Sequence, residues 1–384
     1  MGKIKRIAIL FWEDRDIESY PSITNAAELW AKYGYSVDIL IPDLMRSKYN
    51  KPGITIHYLG SGGGEYVRKA SAYLKGTAYD LYITYDNYAL YALAKLEIKA
   101  RIIFHSLEIV DYKPKSLLKR YKRWFRFGLP KWETLEQRCQ ERILFSIVQD
   151  ADREKLLREV YGFVDKVILV PNSNLGIRHE KSDYLRRKYN LNADKKIILY
   201  AGALEEWALT DEIIKAAIKW PDEWVFVIHG FNRGDGFNKR IEPLIRKYNQ
   251  KIYLSLGLLG KGEYDEMVCS ADIGLAWYKK DVPSNVFNMG ASSGKLFQYL
   301  YCGLPVVVPE YMPSLKRMVV FGNIGLCASS ESDISKSISA ILNNYGSYKQ
   351  SIYDTYMKYY EFENSYLNVI NEVNMVLSDE GGNL

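Results

Sequence analysis

The chain has 384 residues, 48% hydrophobic and 26% charged, with a formal net charge of +6. That length exceeds the roughly 250–300 residues at which one core usually divides, so two domains of ordinary size are expected, and the composition excludes a disordered or low-complexity protein. The charge is too modest and too spread to argue for nucleic acid. Four cysteines without a CxxC pair fit reduced thiols in a cytoplasm, and no window approaches the ~20 apolar residues of a membrane span.

Lys5 to Trp12 reads as a buried first strand, followed by the acidic loop Glu13-Asp14-Arg15-Asp16-Ile17-Glu18 and a helix with apolar spacing Ile23, Ala26, Ala27, Trp30. Strands are predicted at 37–41, 54–59, 81–85 and 101–105, with helices at 66–75 and 88–94 between them. A helical stretch at 117–142 precedes a strand at 143–148, a helix at 153–161 and a strand at 166–170. Pro171 to Asn192 is polar and is read as the domain boundary. The second half repeats the plan, with strands at 196–200, 224–229, 252–256, 273–277 and 306–308 and helices at 210–219, 263–269 and 295–301. Its tail, 333–377, reads as helical and Tyr-rich, with no strand after Leu326. Short apolar strands alternating with amphipathic helices predict doubly wound parallel sheets, whose ligands bind at the carboxyl ends of the strands.

The segment Ser284 to Pro309 organises the second half. Its small-residue loop, Met289 to Gly294, tightens into a helix that begins with Lys295 and stops at Gly303-Leu304-Pro305. Free amides and the positive end of a helix dipole favour an anion, and Lys295 adds a cation, so a phosphate or diphosphate suits the spot; close packing of a helix on a sheet explains the small residues equally well.

Of the four histidines, His57, His105, His179 and His229, none pairs at metal-ligand spacing. His105 and His229 each end a predicted strand, one in each half. No G-x-S-x-G elbow, Walker loop or dinucleotide fingerprint is present, and no DxD pair sits where a chelated diphosphate needs it, so no metal or cofactor is expected. Between Lys113 and Lys131 there are eight basic residues and no acidic one. With Leu117, Leu118, Tyr121, Trp124 and Phe125 at helical spacing, this segment reads either as an interfacial helix on an anionic membrane, held by Lys119, Arg120, Lys122, Arg123 and Trp124, or as a domain helix with a basic outer face. Nucleic acid is ranked last among its partners.

The segment SSGKLFQYLYCGLPVVV, together with His105-Ser106-Leu107-Glu108, Gln149-Asp150 with Arg153, Val170-Pro171-Asn172-Ser173, Tyr200-Ala201-Gly202 and Ala271-Asp272-Ile273-Gly274, resembles the GT-B glycosyltransferases, in particular the retaining group called family 4 (glycosyl transferases group 1). The resemblance implies an α/β chain of two facing Rossmann-like doubly wound domains: an acceptor-side domain at 1–172, a nucleotide-sugar-binding domain at 173–345, and helices at 346–384 that pack back on the first. It implies donor contacts at Ser292, Ser293, Gly294, Lys295 and Gln298, with His105 against the donor sugar and Lys295 on the leaving diphosphate as the catalytic pair; Gly202 and His229, at strand ends of the second half, are further donor-side candidates. Glu13, Asp14 and Arg15 are the acceptor-side candidates. The implied reaction moves a sugar from a UDP- or GDP-linked donor to a glycan or lipid-linked acceptor with retention, in a cytoplasmic protein that meets the inner face of the plasma membrane if the basic segment binds it. Departures are visible too. The family's pair of glutamates eight positions apart is replaced by Gly290 and Gln298, Trp12-Glu13-Asp14 stands for the usual Gly-Gly, and no Arg or Lys follows Ala203. An accessory subunit without catalysis and a nucleotide-sugar epimerase are the alternatives.

Overall fold

The computed structural model describes residues 5–379 except 14–15, 44–45, 95–100, 110–138, 140–141, 162–164, 179, 206, 231–240 and 249. The basic segment 113–131, with Lys119, Arg120, Lys122, Arg123 and Trp124, therefore lies outside the described residues, as do Asp14 and Arg15. The chain divides into two compact units, 1–171 with 365–384, and 172–364.

In the first unit seven parallel strands run β1 (Arg6–Leu10), β2 (Ser36–Ile41), β3 (Ile54–Tyr58), β4 (Leu81–Tyr85), β5 (Ile102–His105), β6 (Ile143–Val148) and β7 (Val167–Leu169) in sequence, and their order across the sheet is β3-β2-β1-β4-β5-β6-β7. Helices α1 (Pro21–Lys32), α2 (Gly63–Lys75), α3 (Asp86–Ala94) and α4 (Ala151–Val160) connect them. β1 after Arg6 and the whole of β4 are buried because helices cover both faces of a parallel sheet; β3, at the edge, is half-exposed.

The second unit holds six parallel strands, β8 (Lys196–Ala201), β9 (Trp224–Gly230), β10 (Ile252–Leu256), β11 (Ile273–Leu275), β12 (Val306–Pro309) and β13 (Gly325–Ala328), ordered β10-β9-β8-β11-β12-β13. The helices here are α5 (Tyr184–Tyr189), α6 (Asp211–Ile218), α7 (Glu242–Lys247), α8 (Lys261–Cys269), α9 (Ser284–Phe287), α10 (Gly294–Tyr301), α11 (Pro313–Gly322), α12 (Ile334–Asn343) and α13 (Tyr345–Thr355). Strand order reverses between β8 and β11, which is where a crevice opens at the carboxyl ends of such a sheet.

Three differences from the sequence reading have physical reasons. The edge strand β13 ends two residues past Leu326; it is too short and too Gly- and Cys-containing to stand out, and its register with β12 makes it a strand. β11 stops at Leu275, with Ala276 N making the last bond to β12; beyond it the side chains of Trp277 and Tyr278 bond to Glu331 and Ser293. The return to the first unit begins at Ser365 rather than at 346, within α14 (Phe362–Asp379). There Trp30 Nε1 donates to Tyr366 Oη at 3.0 Å, Tyr35 Oη donates to Asn374 at 2.7 Å, and Val369, Ile370 and Val373 are buried at helical spacing. The preceding stretch stays with the second unit, where Tyr356 is buried and its hydroxyl donates to the Asn174 carbonyl at 2.9 Å.

Candidate active site

The small-residue segment folds as a 3-10 turn, Gly290–Ser292, followed directly by α10. Ser293 is the N-cap: its Oγ accepts from Leu296 N at 3.2 Å and shares a 2.7 Å hydrogen bond with the Tyr278 hydroxyl. The amides of Gly294 and Lys295 have no intrahelical acceptor, as at any helix start. At the other end Gly303 takes φ +66°, a left-handed stop, and Pro305 forbids continuation.

Lys295 and Tyr299, four residues apart, share the face of α10 that lies over the β8–β11 switch. The Tyr299 ring occupies the space above Gly274, where a Cβ would stand 2.3 Å from it, and its hydroxyl accepts from Ala201 N at 2.8 Å. The stem of Lys295 crosses Gly202, where a Cβ would stand 3.0 Å from Cε. These two glycines let the helix sit against the strand ends.

The Lys295 ammonium lies 3.9 Å from the ring centroid of Tyr200 and 4.6 Å from that of Tyr278, and it donates to the Trp277 carbonyl at 3.4 Å. No carboxylate among the described residues pairs with it. Burial holds its pKa well below the usual lysine range, while the two ring faces favour the cation. Trp207, in the loop after β8, lies nearly parallel to Tyr278 at 6.1 Å and is partly exposed. Trp277 Nε1 donates to Glu331 at 3.2 Å, so that acid is turned to the indole. The result is a cation held by aromatic faces beside free helix amides. Its chemistry is that of an anion receptor.

The other donor-side candidates divide. Gly202 and Gly294 are at the switch point, and Ser292 Oγ donates to the Met289 carbonyl at 3.3 Å. Ser293 is 1% exposed and spent on the cap and on Tyr278, leaving no hydroxyl to offer. His229, paired in register with Ala201, is buried; its Nδ1 is 3.1 Å from Ser255 Oγ, which accepts from Lys188 at 2.9 Å. Burial, helped by Lys188, pushes its pKa down to about 4, so it is neutral. Gln298 faces inward: Nε2 donates to Asp265 at 2.7 Å and Oε1 accepts from Asn174 at 3.1 Å. A ribose contact would require breaking both bonds.

In the first unit, His105 ends β5 with 1% exposure. Its ring is 4.6 Å from that of Tyr85, neither nitrogen has a hydrogen-bond partner among the described residues, and burial followed by the charge of Arg153 lowers its pKa to about 3. It is a neutral imidazole. Glu13, after β1, accepts a short hydrogen bond from the Tyr20 hydroxyl.

Sequence reasoning missed Tyr200, Tyr278 and Trp207. A tyrosine before Ala201-Gly202 and another three residues past a strand look like core residues, and only the β8–β11 register brings both to Lys295. It missed Asp86 as well, for which the one signal was Tyr85-Asp86-Asn87, where a helix follows a strand with no loop between.

Residues 181–358 match the family described as Glycosyl transferases group 1. No curated protein sequence matches the chain. Among solved structures it is similar to sucrose-phosphate synthase from Thermosynechococcus elongatus (16% identity, TM-score 0.69, covering 98% of this chain and 100% of that one). It is also similar to HepE from Anabaena in complex with UDP and glucose (11%, TM-score 0.67, 98% and 100%). A third is WaaG, a glycosyltransferase involved in lipopolysaccharide biosynthesis (12%, TM-score 0.66, 94% and 99%). At these identities the likeness is one of fold. The fold is GT-B, and the protein is a glycosyltransferase whose second unit carries the glycosyl transferases group 1 domain.

Proposed function

We propose that the protein moves a sugar from a nucleotide-diphosphate donor, UDP- or GDP-linked, to a glycan or lipid-linked acceptor with retained configuration, in the synthesis of a cell-surface polysaccharide or glycoconjugate. The observation that carries the reading is Lys295, a cation with no carboxylate partner among the described residues, set beside the free amides of α10. A diphosphate supplies the charge this place lacks, and the same groups stabilise it as it leaves. HepE bound to UDP and glucose, and WaaG in lipopolysaccharide biosynthesis, support the donor and pathway classes.

In this reading Gly202 and Gly294 give the diphosphate room, Ser292 borders it, and His105 hydrogen-bonds the donor sugar as a neutral donor and acceptor. Glu13 is assigned to the acceptor, together with Asp14 and Arg15. The scheme calls on no metal or cofactor. The protein works in the cytoplasm, and the 113–131 segment brings it to the inner face of the membrane.

The test is a thermal-shift screen of nucleotides and nucleotide sugars, then transfer to a panel of glycan and lipid-linked acceptors. Ligand at about 100 times its Kd adds about 2.7 kcal/mol of stability. Stabilisation by one nucleotide class and transfer of its sugar are expected; no response to any nucleotide defeats the proposal. The inward commitment of Gln298 favours one second reading, a nucleotide-binding subunit without catalysis, which binding without any transfer would support.

A further inference from the structure

The turn after His105 is held on every side by buried side chains. Ser106 N donates to the Ile147 carbonyl at 2.9 Å, and the Ser106 carbonyl accepts from Gln149 Nε2 at 2.9 Å. The amides of Leu107 and Glu108 both donate to Asp86 Oδ1, at 2.8 and 2.9 Å. The Leu107 carbonyl accepts from the Arg153 guanidinium at 2.7 Å. All of the backbone polar groups from Ser106 N to Glu108 N are thus satisfied, four of the five bonds coming through Gln149, Arg153 and one oxygen of Asp86.

These three residues come from different elements: Asp86 begins α3, Gln149 follows β6 and Arg153 lies in α4. All are buried, at 5%, 3% and 1% exposure. Placing them there is costly. Asp86 sits at φ 59°, the left-handed region that Asp and Asn tolerate better than most residues, and it joins strand to helix without a loop. Arg153 is placed by its own amide, which donates to Asp150 Oδ1 at 2.9 Å. On the near side of the turn His105 is flanked by the Tyr85 ring, from the residue before Asp86. Among the described residues its two nitrogens have no partner, while the backbone beside it is fully bonded.

We infer that Asp86, Gln149 and Arg153 are positioning residues, a three-point clamp on the 106–108 turn that fixes the His105 imidazole with both nitrogens available to a substrate hydroxyl. The inference rests on the reading that His105 meets the donor sugar. A clamp that served the fold alone would affect stability and leave the imidazole and the turnover unchanged.

The experiment uses the full chain labelled with 15N at histidine. There are four histidines, so His105 is identified by the signal lost in His105→Gln. Asp86→Gly removes the carboxyl group and keeps the left-handed backbone free of strain. Its His105 resonances should shift or broaden, and its kcat with the nucleotide sugar that wild type uses should fall at least tenfold, with affinity for the free nucleotide within twofold. Asp86→Asn, which keeps an acceptor oxygen and tolerates the same φ, should restore both. Should Asp86→Gly not fold, Gln149→Leu must move the same resonances. His105 resonances and kcat at wild-type values in a folded clamp variant, with only the unfolding temperature lowered, overturn the inference. If wild type turns over no nucleotide sugar, the proposed function fails, and the imidazole resonances alone then decide the clamp.

Discussion

The Lys295 ammonium lies 3.9 Å from the centroid of the Tyr200 ring, with Tyr278 closing the other side at 4.6 Å. A carboxylate partner would cancel the charge that a phosphate needs; an aromatic face holds the cation and leaves its field available. The loop after β8 carries no Arg or Lys beside Ala203, so among the described residues this arrangement rests the site's positive charge on Lys295 and the α10 amides.

Tyr278 should therefore matter twice, through its ring face and through its bond to Ser293, the cap of α10. Tyr278→Leu removes both, and nucleotide affinity should fall by about tenfold, from about 0.5–1 kcal/mol of cation–π and about 1 kcal/mol of hydrogen bond. Tyr278→Phe keeps the face and should lose less. Titration calorimetry with the nucleotide that binds best distinguishes them; equal losses would mean that the ring face does nothing.

His105→Ala should lower kcat by about 100-fold, the scale of one positioned hydrogen-bonding group at a reacting centre, with nucleotide affinity unchanged. Because burial holds the His105 pKa near 3, the residue is neutral throughout the working range. The rate profile should show no His105 limb between pH 5 and 7. A wild-type limb near 6.5 that disappears in His105→Gln would contradict this.

Asp86 gives stability a pH dependence of known sign. Burial raises its pKa to about 8, against about 3.9 for an unfolded aspartate. The folded state retains a proton that the unfolded state gives up, so its contribution is whole below pH 4 and is lost as pH rises toward 8. Relative to wild type, Asp86→Asn should therefore be more stable at pH 9 than at pH 5. Thermal unfolding of both proteins at the two pH values measures it, and a difference that does not change with pH would refute the assignment.

Gly274 carries the weight of helix placement. An added methyl would lie 2.3 Å from the Tyr299 ring, so Gly274→Ala must push α10 off the strand ends. A destabilisation of about 1–3 kcal/mol is expected, with nucleotide affinity falling alongside. Unchanged stability in denaturant titration would show that the ring has room to move.

Strand positions and the doubly wound plan were legible because buried parallel strands are short continuous apolar runs, and Ile143–Val148 and Ile252–Leu256 have the bounds read from the sequence. The anion-receiving loop was legible through small residues, a lysine and Gly303-Leu304-Pro305. What could not be read was side-chain direction across elements. Gln298 lies one turn beyond Lys295, yet three residues along a helix turn it toward Asp265 and Asn174. Tyr200 and Tyr278 are 78 positions apart by number, and only strand register brings them to one ammonium. Asp86 was hidden because a left-handed aspartate at a strand end has no periodicity to mark it.

The basic segment is tested separately. Charge reversal at Lys119, Arg120, Lys122 and Arg123 should release the protein from anionic vesicles in a sedimentation assay, and unchanged sedimentation would count against membrane contact.

The most direct test of the central claim is the affinity of wild type and Lys295→Met for UDP and GDP, measured by titration calorimetry. Methionine keeps much of the stem's packing and deletes the charge. With Lys295 as the receptor for the diphosphate, affinity for the nucleotide that wild type binds should fall at least tenfold, about 1.4 kcal/mol or more. Binding within twofold of wild type would contradict the account.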